Sequence, residues 1–237
     1  MKRKWLYTIA GGMFIVGIGL LGYQPFYNYF VIPNQLESSY QNDYDKMTSE
    51  DIRYNLEAAK QNKEAFDYDN VKSITELDFK EVKNELTKEN IIGLIYIPDV
   101  DIKLPILYGT NQKTMMLGAG TLKLDMKMGE KNYVLGSHSL RNKDLLFTPT
   151  RKMKEGQLIY LTDKEYVYTY KTTSKSVVKP SETYVMDDTN DVKEVTLISC
   201  YDDEGKTRLV VKGLLENKIS LEKIDSKLKS QLKFDSN

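Results

Sequence analysis

IIGLIYIPDVDIKLPIL, residues 91–107, is the stretch on which the fold turns. It holds two apolar runs, 91–97 and 102–107, broken by Pro98-Asp99. Each run is rich in β-branched residues, too short for an ordinary helix and bounded by turn residues, which predicts a strand. Pro105 has no N–H to give to a ladder, so the second strand is expected to lie at an edge or a bulge there. The same texture continues in NYVLGS (132–137), QLIYLT (157–162), EYVYTYKTTS (165–174), VTLISC (195–200) and TRLVVKG (207–213). Gly109-Thr110-Asn111 and Asp203-Glu204-Gly205 punctuate these runs. So many short strands at this spacing predict an all-β barrel or sandwich over 91–215. Residues 216–237 read as a polar C-terminal tail.

Working outward to the N-terminus, the charge distribution divides the chain. Lys2, Arg3 and Lys4 are the only charges before Glu37, and residues 1–4 read as a basic cytoplasmic tail. Trp5–Tyr23 (WLYTIAGGMFIVGIGLLGY) contains no charge and is long enough for a hydrocarbon core of about 30 Å. Basic residues before it and acidic polar sequence after it predict an uncleaved signal-anchor with a cytoplasmic N-terminus. A cleavage signal of small residues is missing from GYQPFYNYF, which follows. Residues 24–90 read as an extracytoplasmic stalk, and 37–90 carry 14 acidic and 8 basic residues. Within it, Thr48 and Asp51 have capping-box spacing, and Ile52, Leu56 and Ala59 form one stripe, so a helical segment is expected in a solvated spacer.

Composition mainly excludes. The 237 residues carry 34 basic and 34 acidic side chains, which leaves no charge excess for nucleic acid. One cysteine rules out an internal disulfide, a CxxC pair and a multi-cysteine zinc site. One histidine rules out HExxH and other multi-histidine centres. GxSxG and P-loop patterns are absent as well.

Three residues stand out together. Cys200 ends VTLISC, where alternation puts Thr196, Ile198 and Cys200 on one face and Leu197 and Ser199 on the other. His138 follows NYVLGS, and Arg208 opens the strand after the DDEGK turn, which brings it back beside the end carrying Cys200. A thiolate is a nucleophile when a base or cation favours it, imidazole can exchange protons with an amine, and a guanidinium can bind an oxyanion. That combination suits acyl transfer through a thioester.

These residues sit in blocks that resemble the sortases, membrane-anchored cysteine transpeptidases of Gram-positive bacteria. TLISC (196–200) with Arg208 downstream resembles the family's TLxTC strand and arginine. IGLIYIPDVDIKLPIL (92–107), GAGTL (118–122), Gly136–His138, LLFTPTRKMKEGQLIYLTD (145–163) and VKP (178–180) resemble successive blocks of the class A branch. The likeness runs in order over about residues 60–215 and uses the only histidine and the only cysteine.

The resemblance implies a sortase-type closed β-barrel with short helices. It implies that Cys200 attacks the Thr–Gly carbonyl of an LPxTG-type sorting signal and forms a thioacyl intermediate. His138 would protonate the departing amine and deprotonate the incoming one, and Arg208 would stabilise the oxyanion or orient the peptide carbonyls. Gly136, Ser137, Val178, Pro180, Ile198 and Ser199 would border the substrate groove. Ser199 stands where the family has threonine, and Ser137 where class A members often have glycine. The implied partners are LPxTG-bearing surface proteins, a lipid-linked peptidoglycan precursor supplying the amine, and the membrane, with no nucleic acid. The expected location is the cell membrane, single-pass, with the catalytic domain outside.

No cofactor is expected. Some class A relatives bind calcium between two loops, but here Asp187 and Asp188 on one and Asp125 and Glu130 on the other offer few oxygens. Two other readings fit the same residues: a membrane-tethered β-barrel binding module with a structural cysteine, and a sortase specialised for pilin or accessory substrates.

Overall fold

The structure is a computed structural model that describes residues 2–26, 44–62, 65–68, 70–71, 90–140, 144–202 and 204–234. Its strands are β1 (Ile91–Ile97), β2 (Ile102–Leu107), β3 (Ala119–Thr121), β4 (Asn132–Gly136), β5 (Leu158–Thr162), β6 (Tyr166–Val178), β7 (Glu194–Cys200) and β8 (Arg208–Ser220). They close into a barrel in the order β1-β2-β3-β4-β7-β8-β6-β5. Of the two architectures the strand pattern allows, the chain adopts the barrel. β1 is buried at every position, since it faces the interior on one side and is covered on the other. Leu94, Ile95, Ile106, Phe147, Leu161, Tyr170, Val195 and Val211 are core residues.

Pro105 behaves as its chemistry requires. β2 pairs antiparallel with β1 through Leu94↔Pro105, whereas parallel β3 joins only at Ile106 and Leu107. The proline therefore falls just before the second ladder begins. A second parallel pair, β4 with β7, matters more for function. The chain must travel through β5 and β6 between these strands, so distant segments of sequence become neighbours.

Among the described residues four α-helices accompany the barrel: α1 (Lys2–Phe26), α2 (Ser49–Ala59), α3 (Gln112–Leu117) and α4 (Ser226–Gln231). α1 is continuous over the expected anchor, and Met13, Phe14, Val16, Ile18 and Leu21 are exposed on it. Among the described residues no helix is long and apolar enough to cross a membrane. α2 has the expected capping box: Asp51 N donates to Thr48 Oγ1 at 3.2 Å, and Thr48 N donates to Asp51 Oδ2 at 2.8 Å.

The expected solvated spacer is corrected where the structure describes it. Ile52 is buried, Leu56 packs beside it, and Asn55 Nδ2 donates to Ile91 O at 2.8 Å, so α2 is fastened to β1. Next, Ala65–Tyr68 lies along the loop after β2. Thr110 N donates to Ala65 O and Asp67 N to Thr110 O, both at 2.7 Å. Gly109, at φ +89°, makes that approach feasible, because a Cβ there would sit 2.2 Å from Ala65 O.

The polar tail is corrected as well. β8 runs on to Ser220, while Leu232 and Phe234 are buried. Phe234 meets Tyr44 edge-on at 5.5 Å, and its N–H donates to Asp45 Oδ1 at 3.0 Å.

Candidate active site

The strand order builds the site. β4 and β7 form a floor, with Gly136 opposite Ile198 in the parallel register. Ser137 N donates to Ile198 O at 3.2 Å, which carries the ladder one step further. Two residues beyond the Gly136–Ile198 pair, His138 follows the end of β4 while Cys200 is the last residue of β7. On the other side of β7, Cys200 is the cross-strand partner of Arg208. Cysteine therefore stands between histidine and arginine because its strand lies between theirs.

These residues border a groove of about 850 Å³. All nine residues expected at the site line it: Gly136, Ser137, His138, Val178, Pro180, Ile198, Ser199, Cys200 and Arg208. The wall on the β8 side is apolar, with Val178, Val185 and Val210 packed together and Met186 and Ile198 against them. The wall on the β3 side is made by Tyr68, Val71, Thr110, Met115 and Leu122.

Each central residue is held differently. His138 is buried; its N–H donates to Met115 O at 3.3 Å and its carbonyl accepts from Phe147 N at 3.1 Å. The Ser137 hydroxyl lies 2.6 Å from Gly118 O and 3.3 Å from Met115 O, the carbonyls at the end of α3. That hydroxyl fastens the turn under His138, so Ser137 borders the groove with its polar group already engaged. Cys200 is a free thiol, half-buried, and its carbonyl accepts from Arg151 Nη2 at 3.4 Å. Ser199 is buried, and its Oγ has no hydrogen-bond partner among the described residues. Arg208 Nη1 donates to Gly205 O at 2.7 Å and to Thr207 O at 3.2 Å.

The loop from Lys179 to Lys193, which carries Pro180, Val185 and Met186, is fastened to the barrel by Asn132. Its Nδ2 donates to Val185 O and to Asp187 O, both at 3.2 Å, while its Oδ1 accepts from Thr196 Oγ1 at 2.7 Å. Asp188 pairs with Lys123 at 2.5 Å and with Lys131 at 3.6 Å. The Lys123 hydrogen bond, with help from Asn132 N and Lys131, holds the Asp188 carboxyl below the usual range. Asp188 is thus engaged by two ammonium groups, and among the described residues no group of three acidic or metal-ligating side chains gathers.

Sequence reasoning missed Tyr68 and Val71, which lie in the segment read as spacer. The available signal was the alternation Phe66-Asp67-Tyr68-Asp69, a strand-like period in polar surroundings. Phe66 indeed bridges to Thr110, and the Tyr68 hydroxyl donates to Leu122 O at 2.6 Å.

One thiol, one imidazole and one guanidinium at the ends of three adjacent strands of a closed barrel are groups suited to cysteine-dependent acyl transfer. Comparison with known proteins narrows the class. Residues 95–216 match the sortase domain model. The chain is 34% identical over 218 residues to sortase A of Streptococcus agalactiae serotype III (strain NEM316), covering 90% of this chain and 84% of that one. It is similar in structure to Listeria monocytogenes sortase A, with a TM-score of 0.57 and 35% identity, over 62% of this chain and 99% of that one. It is also similar to Clostridium perfringens sortase C, solved with the C-terminal cell wall sorting motif, with a TM-score of 0.52 and 28% identity over 76% and 97% of the two chains. The chain belongs to the sortase family and is a cysteine-type transpeptidase of the cell-wall sorting class, acting on surface proteins that bear a sorting signal.

Proposed function

We propose that the chain cleaves an LPxTG-type signal between Thr and Gly and joins the new carboxyl end to an amine of a peptidoglycan precursor. The observation that carries this reading is the convergence of the only cysteine, the only histidine and Arg208 on one groove. The Clostridium perfringens sortase C was solved with a C-terminal cell wall sorting motif, which supports a peptide of this kind as the ligand here.

In the first half-reaction the Cys200 thiolate adds to the threonine carbonyl carbon, and the carbonyl oxygen becomes an oxyanion beside the Arg208 guanidinium. The C–N bond then breaks, the glycine nitrogen takes a proton from His138, and a thioester remains. In the second half-reaction an acceptor amine gives its proton to His138 and adds to the thioester. The C–S bond breaks and the thiolate is restored. One peptide bond is exchanged for another, so no external energy source is needed. The residues on the groove wall, led by Val178, Val185 and Ile198, bind the apolar start of the signal.

The anchor and location belong to the same proposal. On the sequence pattern alone, a charge-free Trp5–Tyr23 after three basic residues, we place a single span there with the barrel outside the cytoplasm, although no helix among the described residues is long and apolar enough to cross a membrane. The Lys123–Asp188 ion pair supports activity without calcium.

The test uses the full chain in detergent micelles with a fluorogenic LPETG peptide and an oligoglycine or oligoalanine amine. Cleavage and ligation are expected for the parent protein and a fall of at least about 10³-fold for Cys200→Ala, as for loss of a nucleophile. Chelation is expected to leave the rate unchanged. A folded protein whose Cys200→Ala variant matches the parent would overturn the reading.

A further inference from the structure

The turn between Tyr201 and Thr207 is organised around one carboxylate. Asp202 Oδ1 accepts from Lys206 N at 2.8 Å, and Oδ2 accepts from the Thr207 hydroxyl. Its own carbonyl accepts from Gly205 N at 3.3 Å, and Tyr201 N donates to Thr207 O at 3.1 Å to close the base of the turn. Gly205 sits at φ +68°, a left-handed conformation that glycine adopts without strain. In this fold the Gly205 and Thr207 carbonyls both reach Arg208 Nη1. The remaining N–H groups of the guanidinium have no hydrogen-bond partner among the described residues, and Arg208 lines the groove directly across from Cys200. These hydrogen bonds also hold the Asp202 carboxyl at about 2, led by the Thr207 hydroxyl, so it is ionised throughout the neutral range.

We infer that Asp202 is a positioning residue for the transfer reaction: it folds the turn whose carbonyls grip one edge of Arg208 and leave the other edge for the oxyanion. The inference rests on the proposed function, in which Arg208 meets that oxyanion. A guanidinium on three methylene groups has many rotamers, and an unfolded turn would leave it free to sample all of them. Catalysis depends on presenting the donors in place before charge develops.

The experiment compares full-length parent, Asp202→Ala, Asp202→Asn, Arg208→Ala and the double Asp202→Ala/Arg208→Ala variants in micelles, with the LPETG peptide and amine. Asp202→Ala is expected to lower kcat by about 10- to 100-fold, the range for a misplaced catalytic group, with KM within about twofold. Asp202→Asn is expected to be intermediate, because its amide oxygen still accepts from Lys206 N. In the Arg208→Ala background the Asp202→Ala change is expected to have less than about a twofold further effect, since the two act as a unit. Alkylation of Cys200 by iodoacetamide reports whether the rest of the site is intact. Equal losses with and without Arg208, or parental activity of Asp202→Ala, would overturn the inference.

Nitrogen–proton NMR of the Arg208 side chain gives a second readout that needs no substrate. A discrete guanidinium signal is expected in the parent and its collapse in Asp202→Ala, while an unchanged signal would overturn the inference. A parent protein inert to the peptide would sink the proposed function instead, and the NMR comparison would still decide whether Asp202 holds Arg208.

Discussion

Ser137 and Ser199 border the same groove and differ in how their hydroxyls are used. Ser137 caps the carbonyls after α3 and steadies the backbone that leads to His138. The Ser199 hydroxyl is buried without a partner among the described residues. An unpaired buried hydroxyl is destabilising by about 1–3 kcal/mol, and replacing it with a small apolar group removes that penalty. Ser199→Ala is therefore expected to raise the urea midpoint with an unchanged m-value and to alter kcat/KM by no more than a few-fold. A lower midpoint would mean that the hydroxyl has a partner in solution. At this scale the sequence was informative because the chemistry is scarce. With one thiol and one imidazole, any thiol–imidazole pair had to be Cys200 and His138. The distinct duties of the two serines depend on backbone carbonyls three-dimensionally nearby, and no local pattern announces them.

Among the elements, the loop between β6 and β7 contributes most to the shape of the groove. Its Val185 and Met186 complete an apolar wall, and Asn132, Lys123 and Lys131 fasten it. Lys123→Ala leaves Asp188 with the more distant Lys131 and frees the loop to move. The expected result is a KM for the peptide raised by about 3- to 10-fold with kcat nearly unchanged, as for loss of uniform binding. An unchanged KM would show that Asn132 alone holds the loop. Several elements escaped the strand pattern for local reasons. The last four residues of β6, Lys175–Val178, escaped because Lys175, Ser176 and Val177 are all exposed along the β8 pairing and only Val178 is buried, so no alternation marks them. β3 is a three-residue Ala-Gly-Thr strand with no alternation to detect. α3 begins at Asn111, whose capping box with Thr114 reads equally well as a turn.

Across the whole molecule, segments from both ends of the chain meet on the barrel. Tyr44 and Asp45 meet Phe234, and Lys164 binds the same corner, donating to Tyr44 O at 2.6 Å with its ammonium 4.0 Å from the Tyr44 ring. Burial lowers the Lys164 pKa to about 8; Asp45 and Asp51 oppose that shift, and Lys233 adds to it. The unfolded chain holds this proton up to about 10.4, so between these values it binds more protons than the folded one. Stability is therefore expected to rise with pH from about 8 towards 9.5. Above about 10 the sign reverses, because buried Tyr44, Tyr133 and Tyr170 keep protons that the unfolded chain sheds. Urea unfolding of the parent and Lys164→Met checks this: the rise is expected in the parent and flattened in the variant. A rise that survives the substitution would assign it to another group. This docking was hidden because its apolar members, Tyr44, Met47, Ile52 and Phe234, are spread thinly through charged sequence, and burial emerges only when both ends are folded onto one surface.

The central claim is that a thioacyl bond forms on Cys200 while His138 and Arg208 attend it. Intact-mass measurement of the full chain, acid-quenched during turnover of an LPETG peptide without acceptor, tests it directly. The account predicts a covalent adduct with the mass of the peptide up to its threonine, mapped to Cys200 and released by hydroxylamine or by an added amine. Cleavage of the peptide with no adduct on Cys200, or with equal cleavage by Cys200→Ala, would contradict it.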